Sequence, residues 1–146
     1  MAPKRFLSAL PDRSAVLIRA MVGAVFLSEG LQKFLFAAQL GAGRFAKLGF
    51  PYPGLLGPFV GATEISCGVA VLLGAWLRLA VLPLLVVISV AIVATKWPML
   101  RTQGFWAAAH EGRADFCMLM GLLFLLSKGA GSWSVDRLRC AGGPPS

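Results

Sequence analysis

Apolar residues run through this chain in four long stretches, broken by short clusters of glycine, proline and charge. The first stretch runs roughly from Ala15 to Phe36, the second from Gly54 to Leu77, the third from Leu79 to Thr95 and the fourth from about Arg113 to Ser127. None alternates with the period of a half-buried strand, and the first three approach the length that crosses a bilayer as a helix. The fourth is the shortest, since its apolar core, Phe116 to Leu126, is only 11 residues. It must borrow Ala107 to Ala109 or extend past Lys128 to span. The pattern predicts an all-α, four-helix transmembrane bundle.

The second stretch organises the others. From Gly54 to Leu77 it is apolar for 24 residues apart from one ionisable residue, Glu64, near its centre. A carboxylate at mid-helix costs about 2.5–3.5 kcal/mol on insertion scales, so it calls for a buried partner. Gly54, Gly57, Gly61 and Gly68 stand at offsets −10, −7, −3 and +4 from it. At 100° per residue they share its face, and a face of small residues lets another helix come close. In the first stretch Arg19, Phe26, Gly30 and Lys33 share a broad face, and Glu29 precedes Lys33 by four residues, acid before base, as an intrahelical pair prefers. Glu64 is therefore expected to pair with Arg19 or Lys33, or to carry a proton.

Between the stretches, residues 37–53 end in the breaker cluster GFPYPG, and a short interfacial helix is allowed over Gln39–Leu48. Arg78 marks a tight turn between the second and third spans. Residues 96–113 read as a second long loop, with Trp97 and Trp106 placed like an interfacial aromatic belt and the single histidine, His110, beside Glu111. Residues 1–14 read as a basic tail holding Lys4, Arg5 and Arg13. The end of the chain, 139–146, reads as a disordered tail after the domain of 15–138.

Composition sharpens the assignment. The 146 residues are 58% hydrophobic and 14% charged, with a mean hydropathy of +0.77. A soluble domain carries about 25% charge, so the chain is expected to live in a lipid bilayer. The net charge of +8 is spread over tails and loops with no aromatic-interleaved basic patch. It suits anionic headgroups and gives no sign of nucleic acid. Cys67, Cys117 and Cys140 form no CxxC pair, which argues against a thiol–disulfide site or an iron–sulfur cluster. One histidine cannot supply bis-histidine haem ligation, and no spacing suggests a metal site. With an even number of spans both tails share a side. The tails and tight turn hold Lys4, Arg5, Arg13, Arg78, Lys128, Arg137 and Arg139, against Arg44, Lys47, Lys96, Arg101 and Arg113 in the long loops. The excess places both termini in the cytoplasm by the positive-inside rule.

Four ordered patterns carry a family resemblance. They are R-A-M-V-G-A-V-F-L-S-E-G-L-Q-K from Arg19 to Lys33, G-F-P-Y-P from Gly49 to Pro53, Glu64 in E-I-S-C-G-V-A-V-L-L-G with Arg78 after it, and G-A-G-S-W-S-V-D from Gly129 to Asp136. In this order and spacing, over about residues 15–138, the chain resembles the DoxX family of small four-helix membrane proteins. The resemblance implies a bacterial inner-membrane protein whose relatives include quinone-reducing subunits of a thiosulfate oxidoreductase and membrane anchors grouped with redox-stress enzymes. Carried over by position, Arg19, Lys33, Glu64 and Asp115 form the polar interior, with Glu29 beside them. Asp115 or Glu111 stands where relatives have a glutamate near the start of the fourth span.

Three functions follow as expectations. The first is a redox-linked accessory subunit that binds a quinone or similar small ligand, with Arg19 or Lys33 donating to a ligand carbonyl and Glu64 relaying a proton. No electron carrier is encoded, so electrons would come from a partner redox enzyme. The second is a non-enzymatic assembly or stability factor, in which the charges fix helix register. The third is a solute or proton pathway, which would require a homo-oligomer.

Overall fold

The computed structural model describes residues 14–141. The N-terminal tail expected over 1–14 lies outside them except for Ser14, as do residues 142–146. The helices are α1 (Ser14–Leu35), α2 (Ala42–Lys47), α3 (Pro53–Leu73), α4 (Leu77–Gln103), α5 (Phe105–Lys128) and α6 (Val135–Ala141). There is no strand among the described residues. The chain is all-α, and α1, α3 and α4 are each long and apolar enough to cross a membrane.

The four long helices pack in a ring: α1 on α3, α3 on α4, α4 on α5 and α5 back on α1, with α2 lying against α3. The α1–α3 seam is closed by glycine, as the offsets around Glu64 predict. A Cβ on Gly30 would sit 2.7 Å from the Gly61 carbonyl oxygen, and one on Gly68 would sit 2.9 Å from the Leu27 nitrogen. Backbones this close leave no room for side chains and gain dispersion contact along the seam. Gly57 faces the start of α2, where a Cβ would lie 2.6 Å from the Ala42 nitrogen, whereas Gly54 has open space around it. The shared core is made of Val22 and Phe26 of α1, Val71 of α3, Leu77 to Ile88 of α4 and Met118, Leu122 and Leu125 of α5. It fills the half of the ring that contains the α3–α4 turn. Around it, large apolar side chains such as Leu17, Phe59, Leu79 and Val86 point outward, as helices in a hydrocarbon solvent should.

The structure redraws several boundaries. The α3–α4 turn is Gly74–Trp76, and Arg78 sits in the first turn of α4 instead of marking the turn. The expected long loop 96–113 is helix except at Gly104, where α4 passes into α5. Pro98 continues inside α4 because a proline removes one intrahelical hydrogen bond without preventing the rest, and packing against α5 supplies more than that bond. Gly104, at φ 86°, makes the break that the sequence spread over 18 residues. The fourth helix begins at Phe105, not near Arg113, so it does borrow Ala107 to Ala109. His110 is an exposed helical residue of α5, not a loop residue. The interfacial helix allowed over Gln39–Leu48 is the six-residue α2. Residues 139–141, expected in an irregular tail, belong to α6.

Candidate functional site

The polar residues within the ring fall into three groups at three levels. At the turn end, Arg19 is buried, 3% exposed. Its Nε donates to the Val71 carbonyl at 2.9 Å and its Nη2 to the Leu72 carbonyl at 2.6 Å. Its Nη1 donates to the carbonyls of Ala130 at 3.0 Å and Trp133 at 2.5 Å. At the end of α3 the Gly74 and Ala75 amides reach back to the Val71 and Ala70 carbonyls, and the guanidinium fork adds donors at Val71 and Leu72 while its charge meets the negative end of the helix. Gly74, at φ 64°, lies against the guanidinium. A Cβ there would be 2.7 Å from Arg19 Cζ and 2.7 Å from Ser134 Cβ. Asp136 completes the knot, accepting from the Trp76 and Leu77 amides at 2.7 and 3.0 Å. A carboxylate at the start of α4 satisfies two orphan amides and faces the positive end of that helix. The closing G-A-G-S-W-S-V-D pattern thus ties three helix ends together.

In the middle, Glu64 is 3% exposed and its Oε2 lies 2.6 Å from Lys33 Nζ. The approach is off the line of a good hydrogen bond at that oxygen, so the contact is an ion pair. Lys33 also reaches Glu29, with Nζ 3.7 Å from its Oε2. Of the two partners that the sequence left open for Glu64, the structure selects Lys33. Arg19 is fourteen positions earlier on α1, about 21 Å along the axis at 1.5 Å per residue. Glu29, expected in the polar interior, has its side chain 49% exposed on the outside of α1.

The third group lies at the far end. Lys96 of α4 meets Asp115 of α5, Nζ to Oδ2, at 3.3 Å, both partly buried. Lys96 is 19 residues beyond Leu77, so the pair lies about 28 Å along α4 from the turn. Glu111, the other candidate for this position, is exposed. The pair edges a groove between α4 and α5 of about 670 Å³, lined by Ile92, Trp97, Leu100, Phe105 and Phe116 among others, with Lys96 and Arg113 as its cations. Arg113 Nη1 donates to the His110 carbonyl, and the Arg101 guanidinium lies 5.0 Å from the centre of the Trp97 ring, on the same helix. The groove opens where buried residues on α4 end at Ile88.

Of the residues expected at one site, the structure brings Glu29, Lys33 and Glu64 together and places Arg19 and Asp115 elsewhere. Sequence reasoning missed Lys96, which looked like the first residue of a loop. The signal available was its spacing from Asp115 across Gly104, legible only once both segments are taken as helix. Asp136 stood out in the sequence only as the last residue of the closing pattern. Among the described residues no group of three His, Cys, Asp or Glu side chains is placed to hold a metal ion.

An outward apolar surface, glycine-closed seams and buried charge pairs define a small helical membrane protein. The chain belongs to the DoxX family: the family model matches residues 14–97, from the start of α1 into α4. It is also 47% identical over 139 residues to a protein of Mycobacterium tuberculosis described as an uncharacterized membrane protein, a similarity that covers 91% of this chain and 85% of that one. No solved structure matches.

Proposed function

We propose that all four long helices span the bacterial inner membrane with both termini in the cytoplasm. In this reading the protein is a redox-linked accessory subunit that holds a quinone, or a similarly apolar carbonyl-bearing ligand, between α4 and α5. The observation that carries the reading is the groove itself. A ring ligand needs an apolar slot with a few donors at its rim. Here Trp97, Phe105 and Phe116 line the slot, and Lys96 and Arg113 supply the donors. Lys96 has three N–H groups and spends one direction on Asp115, leaving others for a ligand carbonyl. The Lys96–Asp115 pair also makes α5 acceptable to the bilayer, since acid and base enter as a neutral couple. Arg19 and Lys33, the donors that the sequence suggests, are engaged within the protein, so the ligand site moves to the far end of α4. The groove binds and orients, and electrons for any reduction come from a partner redox enzyme.

The test is solvent extraction of the protein purified in mild detergent, followed by assay for quinone. The reading expects quinone in proportion to protein, lost from Lys96→Ala and Arg113→Ala while both remain folded. A folded wild type without quinone would reject it. A second reading, a non-enzymatic assembly or stability factor, is favoured by one observation: the Arg19 knot turns its donors inward to four carbonyls. It predicts that Glu64→Gln lowers the amount of assembled protein without changing what the groove holds.

A further inference from the structure

Glu29 is a carboxylate on the outside of a helix that crosses the membrane. Its depth follows from the glycine seam. Gly30 lies against Gly61 and Gly23 against Gly68, so α1 and α3 run antiparallel with Glu29 level with Glu64. Glu64 is the twelfth of the 21 residues of α3, which puts both acids at mid-depth. One ammonium, that of Lys33, serves both carboxylates, closely at Glu64 (2.6 Å) and loosely at Glu29 (3.7 Å). Glu64 also has the charge of Arg44, on α2, near it, so Glu29 is the carboxylate left with only a share of one cation, at the depth where a charge costs most. Glu29 is not alone on its face. Ser28 is exposed beside it, and Gln32 Nε2 donates to Ser28 Oγ at 3.0 Å. A polar stripe that carries a half-exposed carboxylate, at mid-depth on the lipid side of α1, has no suitable solvent in lipid tails.

We infer that the Ser28–Glu29–Gln32 face of α1 is the docking surface for a transmembrane helix of a partner protein that carries a lysine or arginine at mid-depth. Charge complementarity selects the occupant. A basic residue from outside would give Glu29 a cation of its own, and Ser28 and Gln32 would add interhelical hydrogen bonds. A second copy of this chain does not fit through its own α1. Its basic residues within α1, Arg19 and Lys33, are already committed to carbonyls and carboxylates, and a symmetric contact through α1 would set Glu29 against Glu29. This face is separate from the α4–α5 groove, and its role does not depend on what the groove holds.

The test places the full chain in phosphatidylcholine vesicles with a labelled synthetic apolar helix of about 20 residues that has lysine at its centre. A control helix has leucine there, and association is read by energy transfer. The lysine helix is expected to associate about three- to thirty-fold more strongly than the leucine helix, the range of one polar contact within a bilayer. Glu29→Gln should abolish the preference and Glu29→Asp should keep most of it, both with unchanged helicity. Equal association of the two helices would overturn the proposal, as would a lysine preference that survives Glu29→Gln. Energy transfer between two labelled populations of this chain, lost in Glu29→Gln, would name a second copy as the occupant and overturn it too.

Discussion

Arg19 and Glu64 are both buried, yet they solve the problem of a charge in an apolar surround in different ways. Arg19 is satisfied by carbonyls at the end of α3 and in the segment after α5, so its loss would take donors from both at once. Arg19→Met is expected to destabilise the protein by about 3–5 kcal/mol, measured by thermal unfolding in mild detergent. Arg19→Lys should recover little, because an ammonium cannot fork to four acceptors on two segments. Lys33 is different, being one base between two acids. Lys33→Met would leave both carboxylates without their nearest cation and should cost about 3–5 kcal/mol. The double variant Lys33→Met/Glu64→Leu removes the buried pair together and should recover most of that loss. A double-mutant cycle by the same unfolding measurement checks it, and additive losses would mean that the pair is not coupled. The sequence could name these residues but not sort them. Arg19's partners are backbone carbonyls, which have no signature in the sequence, and only the α1–α3 register decides that Glu64 meets Lys33.

Helix α3 and its seam were legible in the amino-acid pattern alone, because small residues spaced around a lone acid leave few alternatives. The prediction there is a contrast between two glycines. A Cβ on Gly30 would press on the backbone of α3 at 2.7 Å, and backbone cannot step aside. Gly30→Ala is expected to cost about 1–3 kcal/mol. Gly54 has nothing within 4 Å, so Gly54→Ala should be neutral or stabilise by up to about 1 kcal/mol through helix propensity. Equal effects in thermal unfolding would contradict the seam. The α4–α5 junction was illegible for a physical reason. Trp97, Pro98, Gly104 and the charges at Lys96, Arg101, Glu111 and Arg113 are what a loop contains, and local chemistry alone favours one. Packing decides otherwise: with both segments helical, Lys96 can reach Asp115 across the interface, and helix continues to either side of Gly104. Reading a loop there also hid the groove, since a loop has no facing helical walls.

Across the whole molecule, charge is arranged by level. The turn end is knotted by Arg19 and Asp136, the centre holds the Glu29–Lys33–Glu64 cluster, and the far end opens into the groove edged by Lys96 and Asp115. Among the described residues the packed hydrophobic core lies toward the turn end. The fold is therefore tightly packed at one end and grooved at the other, which suits the proposed ligand. The central claim is that the groove holds one such ligand per chain, and native mass spectrometry of the protein released from mild detergent tests it most directly. Wild type is expected to carry a single adduct of quinone mass, and Ala108→Trp, which puts an indole into the groove, is expected to fly bare with its fold intact. A bare wild type, or an adduct that persists in Ala108→Trp, would contradict the account.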